Sequence, residues 1–225
     1  MSTITLDGAS GFLVKAEKAK GGVLLLPTIY GVNKDARDYA AALAHLGLST
    51  LIWDPFADEP EAKTPEAAIK RSASLRDGPS MDAASICIDF MMDELRLDSI
   101  GTLGFCLGGR YCLMLAAREE RIGACASIYP TVHVPKLPHQ EEDVLSRAAE
   151  IECPVLLVYP GQDHITSNDT FGQLQAQLQR RHAPTSILLY PHADHGFFHT
   201  EGVENEAATR QSAPQINAFL RACLG

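Results

Sequence analysis

The sequence predicts an α/β fold with a largely parallel sheet. Short apolar runs alternate along the chain with longer segments in which apolar residues recur with a period of 3.6. Most of the short runs are apolar throughout, as in strands that are buried on both faces of a sheet. The chain has 225 residues, and this length fits one domain spanning 1–225.

Eight short segments have the composition of strands. The first two are more polar than the rest, so we expect them to form an antiparallel edge, whereas the later ones are expected to be buried on both faces. The predicted strands are 3–6, 11–16, 23–26, 49–53, 99–103, 124–128, 155–159 and 185–190.

Five segments between or after these strands have helical periodicity. The first three are 36–46, which ends at Gly47, then 82–96, and then 107–118, which is apolar almost all round. The fourth starts at Ser167 or Asn168 and includes Leu178, and the last starts near Ser212 and Pro214. The stretches 54–79 and 129–140 show no strong pattern, so we predict long loops there, and loops of this length are often lids or substrate walls.

Composition and charge exclude several classes of function. The chain has 19 Lys and Arg against 28 Asp and Glu, a net charge of −9. An acidic chain without a basic run is a poor candidate for binding nucleic acid or anionic membranes. The start of the sequence lacks the features of a secretory signal, and the six cysteines lack metal-binding spacing. We therefore expect a cytoplasmic protein with reduced thiols, acting on a small molecule as a monomer or small homo-oligomer.

The segment 104–109 is the most informative part of the sequence. It reads Gly-Phe-Cys-Leu-Gly-Gly between an apolar strand and an apolar helix, the Gly-x-Ser-x-Gly turn of a nucleophile with sulfur in place of oxygen. Such a turn is strained, so the positions two before and two after Cys106 must be small, and Gly104 and Gly108 meet this need. The helix dipole would favour a thiolate at Cys106, and the amide of Leu107 would face an attacked carbonyl.

An acid and a base follow the cysteine at the ends of later predicted strands. Asp163 comes 57 residues after Cys106, and His195 comes 32 residues after Asp163. Each alone reads as an ordinary loop residue, but the order nucleophile, acid, histidine predicts a catalytic triad. His192, His195 and His199 could also suggest a metal site. Pro191 and Gly196 argue against a regular helix there, and the His-Glu-x-x-His arrangement is missing, so we expect no metal.

Five segments together resemble the dienelactone hydrolase (carboxymethylenebutenolidase) family, in order and spacing over nearly the whole chain. They are 26–33, 53–56, 104–109, 161–164 and 192–197. The resemblance implies an α/β-hydrolase fold, with a mostly parallel central sheet and helices on both faces. It also implies a triad of Cys106, Asp163 and His195, and an oxyanion hole formed by the backbone amides of Ile29 and Leu107.

The sequence departs from the family pattern at two positions. Thr28 stands where members with lactonase activity carry a glutamate, and His199 stands where they carry an arginine that pairs with a substrate carboxylate. Arg71, Arg76 or Arg110 could supply a cation instead. The residues expected to contact substrate are Thr28, Tyr30, Arg76, Phe197 and His199.

The sequence therefore predicts a cysteine-nucleophile hydrolase of a carboxylic ester or lactone that needs no cofactor. One alternative is a non-catalytic binding protein on the same fold, because a fold does not fix an activity. Another is a redox-sensing thiol protein, because an activated cysteine is readily oxidised. Cys112, six residues after Cys106 and nearly two helical turns away, would be an awkward resolving partner for that role.

Overall fold

An eight-stranded sheet lies at the centre of the part of the chain that the computed structural model describes, residues 1–57 and 59–225. The strands are β1 (Ser2–Leu6), β2 (Ala9–Val14), β3 (Gly21–Leu26), β4 (Ser49–Trp53), β5 (Ser99–Phe105), β6 (Ile122–Ile128), β7 (Val155–Gln162) and β8 (Thr185–Asp194). The helices are α1 (Lys34–His45), α2 (Pro65–Ser72), α3 (Asp77–Asp93), α4 (Leu107–Arg118), α5 (Val144–Arg147), α6 (Asn168–Leu178) and α7 (Val203–Leu224), and a 3₁₀ turn, Ala148–Glu150, follows α5.

The sheet order is β1-β2-β4-β3-β5-β6-β7-β8. Strands β1 and β2 are antiparallel at one edge, as predicted, and the remaining strands run parallel. All eight predicted strands are present. The prediction that the later strands are buried on both faces is wrong for β8, because this strand forms the other edge of the sheet and many of its side chains face solvent.

The side chains of β3 show how the two faces of the sheet are covered. Val23 and Leu25 point to the face packed by α1 and α7, whereas Leu24 and Leu26 point to the face packed by α3, α4 and α6. Successive strand residues alternate between faces, so a strand covered by helices on both sides must be apolar throughout. This explains the continuous apolar run of β3.

Two helices begin at least five residues before their predicted starts, and a third lies within a predicted loop. Helix α3 begins at Asp77, five residues before the expected start, and α7 begins at Val203, well before Ser212. The buried side of α7 already includes Ala208, while Pro214 sits inside the helix with its ring exposed. Helix α2 lies within a predicted loop. The sequence feature that marks the start of α2 is a capping residue, Thr64, followed by a proline. The side chain of Thr64 accepts a hydrogen bond from the amide of Ala67 at 3.2 Å.

The parallel strands bring distant segments of the chain to one edge of the sheet. The carboxyl ends of β3, β5, β6, β7 and β8 lie side by side there, and open α/β sheets bind their ligands at this edge. Across the described residues, no helix is both long and apolar enough to span a membrane.

Candidate active site

The turn after β5 holds Cys106 in a strained backbone conformation, with φ +57° and ψ −117°. A Cβ atom at Gly104 would lie 2.1 Å from the carbonyl oxygen of Gly108, and one at Gly108 would lie 1.8 Å from that of Leu26. Neither position can hold a side chain while the strand and helix approach so closely. The glycine requirement inferred from the sequence is therefore visible in the structure.

Backbone hydrogen bonds fix Cys106 at the start of α4. Its amide donates to the carbonyl of Ile128 at 3.0 Å, and its own carbonyl accepts from the amide of Thr131 at 3.2 Å. Leu107 is the first helical residue, so its amide has no carbonyl one turn earlier to bond. The positive end of the helix dipole and this amide are thus both available to a negative charge beside the sulfur.

Asp163 and His195 meet at the ends of β7 and β8. Nδ1 of His195 lies 2.8 Å from Oδ2 of Asp163, and the side chains are 6% and 0% exposed. The other carboxylate oxygen accepts hydrogen bonds from the amides of Ile165 and Thr166, both at 2.8 Å. Held by these amides, the carboxylate fixes the orientation of the imidazole.

The free edge of the imidazole faces the cysteine. Nε2 of His195 is buried and makes no hydrogen bond of normal geometry with a described residue. Burial by itself would lower the pKa of His195, but the hydrogen bond to Asp163 and the neighbouring Cys106 outweigh it and raise the pKa to about 9. The site thus favours a protonated imidazole at His195.

Aromatic side chains pack against the imidazole of His195. Tyr129, fully buried with φ +36°, has its ring centroid 5.2 Å from that of His195 and 5.2 Å from that of Phe197. Phe197 is only 1% exposed and packs in the core. It was predicted to contact substrate, but it lines neither cavity at Cys106 because its ring is turned towards the other aromatics.

Two cavities meet at Cys106, and Ile29 and Ile165 line both of them. The first, here named the Tyr111 cavity, has a volume of about 260 Å³ and is lined by residues that include Leu107, Arg110, Tyr111, Thr131 and His133. The second, here named the His195 cavity, has a volume of about 440 Å³ and is lined by residues that include Thr28, Tyr30, Asp35, Tyr129, His195 and His199.

Three of the predicted contact residues, Thr28, Tyr30 and His199, lie at the His195 cavity. Oγ1 of Thr28 accepts a hydrogen bond from the amide of Tyr30 at 3.3 Å. Nδ1 of His199 lies 3.2 Å from Oδ2 of Asp35. Burial lowers the pKa of His199, and the charge of Asp35 only partly offsets this. In the part of the chain that the structure describes, no group of three or more His, Cys, Asp or Glu is placed to hold a metal ion.

Two arginines that the sequence offered as substrate cations have other partners. Arg76 lies outside both cavities and pairs with Glu141 at 2.7 Å, so the structure does not support the predicted substrate contact. Arg71 donates to the carbonyls of Ile29 at 3.3 Å and Tyr30 at 3.1 Å. The sequence did not indicate these backbone contacts, because Arg71 lies in a stretch without a clear pattern.

Arg110 is buried in the wall of the Tyr111 cavity and forms a bidentate ion pair with Asp77. Its Nη1 and Nη2 donate to the two carboxylate oxygens of Asp77 at 2.7 and 2.8 Å, and both side chains are 2% exposed. Nη2 also donates to the carbonyl of Glu142 at 3.1 Å. The carboxylate in turn accepts from the amides of Glu141 and Glu142, which ties this loop to α3 and α4.

The mostly parallel sheet and the strained turn after β5 define an α/β-hydrolase fold. Residues 9–224 match the dienelactone hydrolase family, so the chain belongs to this family. The protein is accordingly a hydrolase that acts on ester or lactone bonds.

Curated relatives and solved structures are similar to this chain over most of its length. A carboxymethylenebutenolidase from Rhodococcus opacus is 31% identical over 183 residues, covering 78% of this chain and 69% of the relative. Carboxymethylenebutenolidase 2 from Cupriavidus pinatubonensis is 39% identical over 133 residues, covering 57% of this chain and 54% of the relative, about half its length.

Among solved structures, a dienelactone hydrolase from Anabaena variabilis aligns with a TM-score of 0.71 at 21% identity, covering 96% of this chain and 93% of the other. A dienelactone hydrolase-like promiscuous phosphotriesterase, P91, from metagenomic libraries aligns with a TM-score of 0.78 at 19% identity, with the same coverage. At these identities the structural likeness supports the fold alone.

Proposed function

We propose that the protein is a cysteine-nucleophile hydrolase of a carboxylic ester or lactone, with Cys106 as nucleophile, His195 as base and Asp163 as the residue that orients it. The observation that carries this proposal is the placement of Cys106. It sits in a strained turn at the start of α4 and shares a cavity with a histidine whose other nitrogen is held by Asp163. This is the arrangement of an activated nucleophile.

In the first step Nε2 of His195 holds the proton that comes from the thiol of Cys106, and the sulfur bonds to the acyl carbon. The carbonyl oxygen becomes negative, and the amides of Leu107 and Ile29 stabilise it; loss of one such donor typically costs on the order of 100-fold or more in rate. The carbon–oxygen bond then breaks, and the proton on His195 moves to the leaving oxygen. The acyl group remains on Cys106 as a thioester.

In the second step water attacks the thioester while Nε2 of His195 takes one of its protons. The carbon–sulfur bond breaks, the carboxylic acid leaves, and the proton returns to the sulfur. Asp163 stabilises the imidazolium in both steps without taking the proton. For a lactone the leaving oxygen stays attached to the acyl chain, so the product is a hydroxy acid.

The other five cysteines are poor nucleophiles for this chemistry. Burial raises the pKa of Cys87 to about 12 and that of Cys153 to about 11, and it also raises the pKa values of the remaining three, Cys112, Cys125 and Cys223. Because the thiolate is the reactive form, these residues should react slowly near neutral pH. This supports Cys106 as the residue that carries the acyl group.

Incubation with p-nitrophenyl acetate, followed by intact-mass and peptide mass spectrometry, tests the proposal. The expected result is one acetyl group on Cys106, and Cys106→Ala should lose turnover by about 1000-fold or more. Cys223→Ala is the matched control, since this half-buried residue lies on α7, and it should keep wild-type activity. Acetylation of several cysteines at similar rates, or full activity in Cys106→Ala, would contradict the assignment.

A second pair of variants tests the base. His195→Ala should abolish turnover, because Nε2 must accept the thiol proton directly. His192→Ala changes an exposed histidine near the end of β8, three residues before His195, and should leave turnover intact. Equal losses in the two variants would remove His195 from the mechanism.

A further inference from the structure

In the proposed reaction, the two cavities at Cys106 would hold different parts of the substrate. His195 lines the larger cavity and is absent from the lining of the Tyr111 cavity. In the mechanism proposed above, His195 must deliver a proton to the leaving oxygen. The leaving group must therefore lie in the His195 cavity, which directs the acyl chain into the Tyr111 cavity.

The only cationic side chain in the lining of the Tyr111 cavity, within the described residues, is already neutralised. Arg110 binds both carboxylate oxygens of Asp77 and the carbonyl of Glu142, and the pair is almost completely buried. A second carboxylate that entered the cavity would lose its hydration and meet a pair with no net charge. Arg110 therefore offers little attraction to an anionic acyl group.

Two histidines also line this cavity, His133 and His139. Nδ1 of His133 lies 3.3 Å from the side-chain amide nitrogen of Gln140. Burial lowers the pKa of His133, and the charges of Arg110, His139 and His195 lower it further, so the uncharged imidazole is favoured. It provides a polar contact but no counter-charge for a carboxylate.

The rest of the cavity is mainly hydrocarbon. Ile29, Leu107, Leu137 and Ile165 contribute apolar walls, and Ile69 lies at the exposed rim with 60% of its surface accessible. A cavity of about 260 Å³ is at the small end of ligand sites, and apolar walls of this kind favour a compact uncharged group.

We propose that the hydrolase is specific for substrates whose acyl portion is uncharged, compact and largely apolar, bound in the Tyr111 cavity, and that it discriminates against a carboxylate there. This inference rests on the proposed function and deepens it. It differs from the carboxylate pairing that an arginine near the catalytic histidine would give, because His199 occupies that position and lies on the other side of Cys106.

Three esters with the same leaving group test the inference at about pH 8, where an ordinary imidazole is uncharged. They are p-nitrophenyl butyrate, the mono-p-nitrophenyl ester of succinate, and the methyl p-nitrophenyl diester of succinate. The third matches the second in shape but lacks its charge. Rates with Cys106→Ala are subtracted, because the succinate monoester also hydrolyses by itself. We expect kcat/KM for the two neutral esters to exceed that for the anionic ester by about 30-fold or more.

Similar or higher kcat/KM for the anionic ester would overturn this inference while leaving the proposed function intact. A slow diester beside a fast butyrate would show that size, and not charge, governs selection, and would also overturn it. Absence of Cys106-dependent turnover of all three esters would overturn the proposed function, and with it the assignment of the acyl side. The outcomes are therefore distinguishable.

A gain of function at the rim provides a second test. Ile69→Arg places a guanidinium at the mouth of the Tyr111 cavity, at an exposed position where folding should tolerate it. We expect this variant to narrow the preference for the neutral diester over the anionic monoester by about tenfold. Ile69→Gln is the neutral control and should retain the wild-type preference. Equal preferences in the two variants would show that charge does not set the selection.

Discussion

At Cys106 the backbone is held in a conformation that costs an ordinary residue on the order of 1–3 kcal/mol, and the surrounding contacts must maintain it. The amide of Cys106 donates a hydrogen bond to the last residue of β6, and its carbonyl accepts one from the segment that follows β6. The strain places the sulfur at the mouth of two cavities, beside the start of α4 and the imidazole of His195. Position, and not residue type alone, distinguishes this cysteine from the other five.

The pKa of His195 should depend on the sulfur of Cys106. The pKa of His195 is raised to about 9 in the wild type, above the ordinary 6.5, partly because of the neighbouring Cys106. Cys106→Ala removes this neighbour, so the midpoint of the His195 ring signal in an NMR pH titration should fall. Cys223→Ala should leave the midpoint unchanged. The same midpoint in all three proteins would show that the two side chains are not coupled.

This raised pKa also predicts how stability depends on pH. A histidine with a folded-state pKa above its unfolded value stabilises the fold fully below about pH 6.5, and this contribution is lost as pH rises through about 9. The difference in free energy of unfolding between wild type and His195→Gln should therefore shrink over that interval. Urea unfolding at several pH values measures it. A constant or growing difference would contradict the raised pKa.

Thr28 offers a test of the electrostatics around the sulfur. It lines the His195 cavity together with Cys106, and its hydroxyl oxygen accepts a hydrogen bond from the amide of Tyr30. A carboxylate in its place would oppose a negative sulfur. Thr28→Glu should therefore slow iodoacetamide labelling of Cys106 at about pH 8, whereas Thr28→Gln, of equal size and no charge, should not. Equal labelling rates in the two variants would place position 28 too far from the sulfur to matter.

At the scale of elements, Arg71 joins α2 to the loop that carries Ile29. Its guanidinium donates to the carbonyls of Ile29 and Tyr30 and lies 4.0 Å above the ring of Phe56. Arg71→Met should loosen this loop and misplace the amide of Ile29. We expect kcat to fall by about tenfold, with KM and the thermal midpoint changing little.

Lys70→Met is the matched control for Arg71, because Lys70 is the exposed neighbour on α2 and lines neither cavity at Cys106. It should retain the wild-type kcat. If Arg71→Met lowered the thermal midpoint and left kcat unchanged, Arg71 would be a stabilising residue and not a positioning one.

At the scale of the whole molecule, Leu224 packs the end of α7 against the centre of the sheet. A Cβ atom at Gly21 of β3 would lie 2.1 Å from the Leu224 carbonyl oxygen, and one at Gly101 of β5 would lie 2.7 Å from its side chain. The hydroxyl of Ser99 donates to the same carbonyl at 2.9 Å. The missing side chains of two glycines thus create the space that Leu224 fills.

Leu224→Ala should leave a cavity above these strands, because neighbouring glycines have no side chain that could move into it. We expect the free energy of unfolding to fall by about 2–5 kcal/mol, measured by urea denaturation. Leu189→Ala on β8 is the control, since Leu189 is 48% exposed, and it should change stability by about 0.5 kcal/mol or less. Equal losses would mean that the end of α7 contributes no specific packing.

Much of the fold could be predicted from the sequence because its determinants are local. The apolar run of β3 and the glycines around Cys106 specify a buried strand and a tight turn with no knowledge of distant residues. The chain order of Asp163 and His195 placed them after neighbouring strands, and the structure brings them to 2.8 Å. The start of α7 was not predictable in this way, since its first turns become buried only against the sheet.

The sequence by itself determined the alternating elements, the tight turn at Cys106 and the strand ends that meet at one edge, because local sterics and periodicity encode them. Only the tertiary structure decided which charges are free to bind substrate. Arg71, Arg76 and Arg110 look equivalent in the sequence, yet they bond to backbone carbonyls, to Glu141 and to Asp77, respectively. An arginine side chain is long and can reach many acceptors, so its partner is set by which helices and loops pack together.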